Sequence, residues 1–341
     1  MVTFRFYLVS IVAFFLALAV GVVLGSVLDG GISDSLKDRL ARVEANLNDT
    51  VASIDDKNTE IKELQQYVDE SAPFAVEGQL LDTTAVVVVE PGVELGPVQD
   101  LVQRVRQSGA SVAGILALDP RWDLKDKADR EQFAQIAKSS DIPVAQLQRL
   151  AWQLILGSAA PGSTATTSTT STTAAVAEDS STSVPNTTAV PSPFAELSNN
   201  AVLKQLEEAG FLQLLDVDGT DGAGGQLSAL FLVTGTDSTL ARPGAAAGEL
   251  ASTATSLNIP TVLAEVFVPP AAEQKDPQER GDILRAALVG KEAGISTVND
   301  LELVAGRVAS VLAAADLQKG ISGNFGYGPG VDGVLPQWIG P

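Results

Sequence analysis

Tyr7 to Leu28 is apolar almost throughout, broken only by Ser10, Gly21, Gly25 and Ser26. A helix rising 1.5 Å per residue needs about 20 such residues to cross a hydrocarbon layer of about 30 Å, so a transmembrane helix is predicted over 7–28. Arg5 precedes the run, and Asp29 and Asp34 follow it. That charge bias puts residues 1–6 in the cytoplasm and the rest of the chain outside. A cleaved signal peptide is the alternative, but its apolar region is shorter and a small-x-small site follows it. Here Ala17-Leu18-Ala19 lies deep inside the run, which favours an uncleaved anchor. Ala13, Ala17, Gly21 and Gly25 recur at four-residue spacing and predict a face on which two such helices approach closely. The plainer reading is that Gly and Ala are common in membrane helices.

A heptad pattern follows over 33–72. With Leu40, Leu47, Ile54, Ile61 and Val68 at a, the d positions are Leu36, Val43, Thr50, Lys57 and Leu64. Eight of these ten positions are apolar over about five heptads, which predicts a coiled coil interrupted at Thr50 and Lys57. Polar seam residues cost stability but fix register and oligomeric state. An intermolecular coil, a dimer by preference, is expected beside a self-associating membrane helix. An amphipathic helix lying on its own domain would show the same pattern. Pro73 is expected to end the helix, because its ring removes a donor and crowds the preceding turn.

Beyond Thr83 short β-branched runs alternate with helical spacing. Strands are predicted at 84–89, 111–118, 211–217, 227–233, 261–268 and 295–298. Helices are predicted at 98–107, 129–139, 144–156, 194–209, 245–257, 277–288 and 301–315, the last capped by Asn299 or Asp300. Such alternation predicts an α/β fold, a Rossmann-like domain with a mostly parallel sheet. The first half holds too few strands for a sheet of its own, so 83–157 and 194–315 are expected to form one domain, with two small domains as the alternative. The stretch 158–193, rich in Ser, Thr, Ala and Pro, buries too little apolar surface to offset chain entropy and is expected to be a disordered insertion. It reads as an O-glycosylated stalk or as a plain linker. The Gly- and Pro-rich tail 316–341 carries Phe325, Tyr327 and Trp338, and reads as a strap docked by aromatics or as a loose end.

Composition narrows the chemistry. With 22 basic and 42 acidic residues the formal charge is −20, which argues against nucleic acid as a partner. There is no Cys and no His, and Met1 is the only Met. Thiolate and imidazole metal sites, disulfides and Ser-His-Asp triads are therefore excluded. After the first strand the chain reads Glu90-Pro91-Gly92-Val93-Glu94, which lacks a dinucleotide fingerprint and would repel a pyrophosphate. Asp216 to Gly222 resembles the start of a calcium loop. Asp221 stands where that loop needs Gly and Leu227 where it needs Glu, so a Gly-rich connection explains it better. Glu265 is the carboxylate nearest to a buried strand position and could line a pocket; a Glu on a wet strand face is the commoner case. No acid pair has hydrolytic spacing, and no enzyme, catalytic residue, cofactor or metal ligand is assigned.

The run Phe15 to Ser26, the heptads behind it, Gly326-Tyr327-Gly328 and Leu335-Pro336 together resemble the actinobacterial copper-transporter family, the MctB-like proteins including SteB-like members. The resemblance implies an envelope protein linked to copper efflux and homeostasis, channel-forming in the outer membrane. For SteB-like members it implies instead a scaffold that binds a SteA-like partner and helps control cell-wall hydrolysis during division. The residues themselves fit the scaffold better. Copper(I) prefers thiolate, thioether and imidazole, and strands of about 10 alternating residues, as in a membrane barrel, are not evident.

Overall fold

In the computed structural model the described residues are 4–139, 141–157, 200–215, 227–236, 238, 245–269, 279–287 and 294–337. Side chains of 4–6, 25–36 and 286–287 fall outside that description. The stretch 158–193, the segment 216–226 and Trp338 lie outside the described residues. The chain divides into two compact units, Met1–Tyr67 and Val68–Pro341.

The first unit is helical. Helix α1 spans Phe4–Val76, its last turns belonging to the second unit. Tyr7–Leu24 is long and apolar enough to cross a membrane. The helix does not stop at Pro73, as the sequence predicted; it continues to Val76, and the Glu77 amide still donates to the Pro73 carbonyl at 3.0 Å. Apolar anchoring explains this: Ala72, Val76 and Leu80 are buried in the second unit's core, which holds the last turns in place.

The second unit is built on one seven-stranded sheet: β1 (Thr84–Val89), β2 (Ser111–Leu118), β3 (Leu212–Leu215), β4 (Leu227–Gly235), β5 (Thr261–Val266), β6 (Ile295–Val298) and β7 (Asn324–Phe325). Their order is β3-β2-β1-β4-β5-β6-β7. All neighbours are parallel except β3, which runs antiparallel to β2 at the edge. Both faces are covered, which is why β1 and β5 are buried at every position and why β1 reads as an apolar run after Thr84. Helices α2 (Leu95–Gln107) and α8 (Val304–Gln318), with the end of α1, pack on one face. The opposite face takes α3 (Lys127–Ile136), α4 (Val144–Leu156), α5 (Ala201–Glu208), α6 (Ala246–Ser256) and α7 (Asp282–Ala287).

Helix α8 departs from expectation at both ends. Helix α8 begins at Val304, with Leu303 at its N-cap and no side-chain cap; neither Asn299 nor Asp300 caps it, because both side chains are buried elsewhere. It also runs to Gln318, past the expected end at Ala315, since Leu317 is still buried. The tail is a docked strap: β7 pairs with β6 and buries Phe325.

An aromatic chain fills the core between α3, α4 and the sheet. Trp152 stacks on Trp122 at 4.5 Å, Trp122 meets Phe133 edge-on at 5.0 Å, and Phe133 meets Phe211 at 5.1 Å. Trp152 donates from Nε1 to the Ala246 carbonyl at 3.0 Å, while Trp122 Nε1 has no hydrogen-bond partner. Truncating Trp122 to Ala should cost about 3–5 kcal/mol in urea unfolding. Trp122→Phe should cost less than Trp152→Phe, because only the second loses a buried hydrogen bond.

Candidate functional site at the carboxyl edge of the sheet

Strands β1, β4, β5 and β6 end at one edge, and pairing puts their last residues level with one another. Val89 pairs with Val233, Thr234 with Glu265, and Ala264 with Val298. The Glu90 amide donates to the Val233 carbonyl at 2.9 Å, which sets Glu90 beside Thr234. Glu90, Thr234, Glu265 and Asn299 therefore form one polar row across four strands. Alternation along each strand aims Glu90, Thr234 and Glu265 to the face of Val88, Leu232 and Leu263, the face covered by α3 to α7. All four are buried.

Each carboxylate is half satisfied. Glu90 accepts from the Ser238 hydroxyl, while its Oε1 has no partner. Burial pushes its pKa up to about 7, against the lowering effect of hydrogen bonds from Ser238 and Thr234. Glu265 accepts from the Gly281 amide at 2.7 Å, and its Oε1 is likewise unpaired. Burial also pushes Glu265 up to about 7; the Gly281 bond and the Arg280 charge oppose the shift, and Glu302 and Asp282 add to it. The common reading of such a Glu, on a wet strand face, fails here because Glu265 has no exposed surface.

Asp300, in the turn after β6, is fully buried, and neither carboxylate oxygen has a partner. Burial, then the nearby Glu302 charge, raises its pKa to about 7, while Arg280 and its own backbone amide oppose the shift. Arg280 ties the loops together: it donates to the Asn299 carbonyl at 2.9 Å, pairs with Glu302 and lies over the Phe267 ring at 4.3 Å. A cleft of about 450 Å³ opens beside this turn, between β6, α7 and the strap; Thr297, Asn299, Gly281, Arg285 and Asp332 are among its lining residues.

No group of three His, Cys, Asp or Glu side chains among the described residues could hold a metal ion. The groups at the edge are carboxylates, amides and hydroxyls, hard oxygen donors that match copper(I) poorly. The arrangement can store protons near neutral pH and accept hydrogen bonds.

The residues expected to mediate self-association all lie on α1 or at its continuation. Leu40, Val43, Leu47, Ile54, Ile61, Leu64 and Val68 are exposed along it, from 39% at Val68 to 68% at Leu40. Ala13, Ala17 and Gly21 are exposed too, whereas the side chains of Gly25 and Leu36 lie outside the description. The two polar d positions are satisfied locally: Thr50 donates to the Asn46 carbonyl at 2.7 Å and Lys57 pairs with Glu60 at 2.7 Å.

The polar row itself was not recognised from sequence, although Glu265 was singled out. The signal was present: buried apolar strands TAVVVV, LSALFLVTG, TVLAEV and ISTV each reach a polar residue at the same end.

The profile of the family described as copper transport outer membrane protein, MctB, matches residues 1–336. The chain belongs to the MctB family. Its description names copper transport and the outer membrane, and names no enzymatic activity. Comparison with curated proteins found no match. For this MctB-family chain, the buried acids give a definite pH dependence. The folded state holds protons that the unfolded chain releases, so stability should fall as pH rises from about 4.5 to about 7 and level off above. Glu265→Gln should flatten that slope and stabilise the domain at pH 8 by on the order of 1–2 kcal/mol, read by denaturant melts across pH.

Proposed function

We propose that this chain is a non-catalytic, membrane-anchored envelope protein that self-associates through α1 and presents its α/β domain outside the cytoplasm to capture a partner. On this reading it serves the copper-related role of its family by assembling an envelope complex, and it does not ligate copper itself. The observation that carries the reading is the exposed heptad row on one continuous helix. Exposed apolar side chains at that spacing gain by burial against another helix, at about 25 cal/mol per Å² of apolar area. The small-residue face within the apolar segment supports pairing of the same helices.

Membrane insertion falls to α1 on this reading. The parallel sheet is covered on both faces by helices, so its strands have no lipid-facing side. The partner is an envelope component, a SteA-like protein if the SteB-like pattern holds. The second reading, copper conduction through a pore of associated α1 helices, is favoured by the family's description. Its weakness is chemical, since the Ala and Gly face offers no polar lining.

The test uses the full chain in detergent. Light scattering should give a dimer or higher oligomer, and Leu47→Glu with Ile54→Glu should reduce it towards a monomer. A monomeric wild-type chain would overturn the proposal. In planar bilayers the oligomer should show no copper-selective conductance; such conductance would establish the second reading.

A further inference from the structure

The strap after α8 crosses the sheet edge at one crowded point. Asn299 holds it from both sides: its Nδ2 donates to the Tyr327 carbonyl at 2.8 Å, and its Oδ1 accepts from the Tyr327 amide at 2.9 Å. Gly326 passes so close that a Cβ there would lie 1.9 Å from Asn299 Oδ1 and 3.0 Å from Asp300 Oδ1. Gly326 also has φ +121°, a region that side-chain-bearing residues avoid. On the other side Gly306 of α8 is as tight, since a Cβ there would lie 2.7 Å from Asp300 Oδ1. Asp300 is thus enclosed between the start of α8 and the strap, and its two carboxylate oxygens have no partner.

The strap is held by a short ladder and a few side-chain bonds. Strand β7 is two residues long; the Thr297 amide donates to Gly323 at 3.0 Å and the Asn299 amide to Phe325 at 3.1 Å. Within the strap the Asn324 amide donates to Asp332 at 2.8 Å. Outside β6, Arg285 donates to the Pro329 carbonyl at 3.1 Å. From β6 the Thr297 hydroxyl also donates to Asn324 Oδ1 at 2.8 Å, and the Gly323 amide donates to the Ser296 hydroxyl at 3.2 Å. A short edge segment held this way opens locally well below the cost of global unfolding.

We propose that the strap, residues 321–337, is a latch on the β6 edge, locked while Asp300 is protonated and loosened when Asp300 ionises. A neutral carboxyl fits the enclosed site beneath Gly326. A carboxylate there is a buried charge that no other residue's donor reaches, and lifting the strap rehydrates it. The charged groups acting on Asp300 are Glu302 in the same turn, which favours the protonated form, and Arg280 from the loop before α7, which opposes it. Within the strap the charged residue is Asp332, engaged by the Asn324 amide. Lifting the strap uncovers the Thr297 and Asn299 amides, a parallel edge able to accept another extended segment, and removes one wall of the cleft beside α7.

The sign and range follow from linkage. The closed strap holds a proton that the open strap releases, so opening rises with pH between the ordinary carboxylate range and about 7, then levels off. Hydrogen exchange with mass spectrometry on the full chain in detergent reads this segment by segment, after correction for the intrinsic pH dependence of exchange. Protection over 321–337 should fall about tenfold per pH unit from pH 5 towards pH 7 and stay constant above. In Asp300→Asn the fall should vanish, while the core strands keep the wild-type response to Glu90 and Glu265. Glu302→Gln should bring the plateau to lower pH, because it removes a like charge and frees Arg280. Strap protection without pH dependence in wild type, or the same dependence in Asp300→Asn as in wild type, would overturn the latch. If Asp300→Asn does not fold, an unmoved plateau in Glu302→Gln would do so instead.

Discussion

Burial of β1 and β5 on both faces is the constraint from which the rest of the folded unit follows. Strands of a parallel sheet closed on either side by helices have no wet face, so their residues are apolar over most of the length. Valine runs such as TAVVVV meet that demand, and the polar residues are displaced to where the strands end. In this chain they end level, and the outcome is a line of Glu90, Thr234, Glu265 and Asn299 at one edge. The buried carboxyls are what remains when apolar strands stop abruptly beneath packed helices and loops.

The two units solve opposite problems. The α/β unit buries its largest core side chains; Trp122, Trp152, Phe133 and Phe211 have essentially no exposed surface, although Phe74 and Leu81 stay exposed. Before its last turns, helix α1 leaves its described apolar residues in the open, first as a lipid-compatible run and then as a heptad row. On the proposed reading, a bilayer and neighbouring helices cover those surfaces. The polar d residues Thr50 and Lys57 each make a bond within their own helix.

Much of this was legible beforehand, for physical reasons. The strand at 295–298 and the helix at 144–156 were readable to the residue, because β-branched runs and a clean helical period leave little choice. Pro73 misled because a proline rule is local, whereas Ala72 and Val76 are held by distant core contacts. Asn299 and Asp300 have ideal capping side chains and were assigned that task. The strap claims Asn299, and close approach of two glycines encloses Asp300, neither of which shows in local sequence. Glu265 looked ordinary for the same reason, since strand register, not spacing, sets it level with Glu90.

Absence of cysteine makes the central claim, self-association through the heptad row, directly testable. Single cysteines can be placed at the seam position Leu47 and at the outward position Ala52, and the full chain oxidised in native membranes. The account predicts a disulfide-linked dimer from Leu47→Cys and little from Ala52→Cys. Equal cross-linking at both positions, or none at Leu47→Cys, would contradict it.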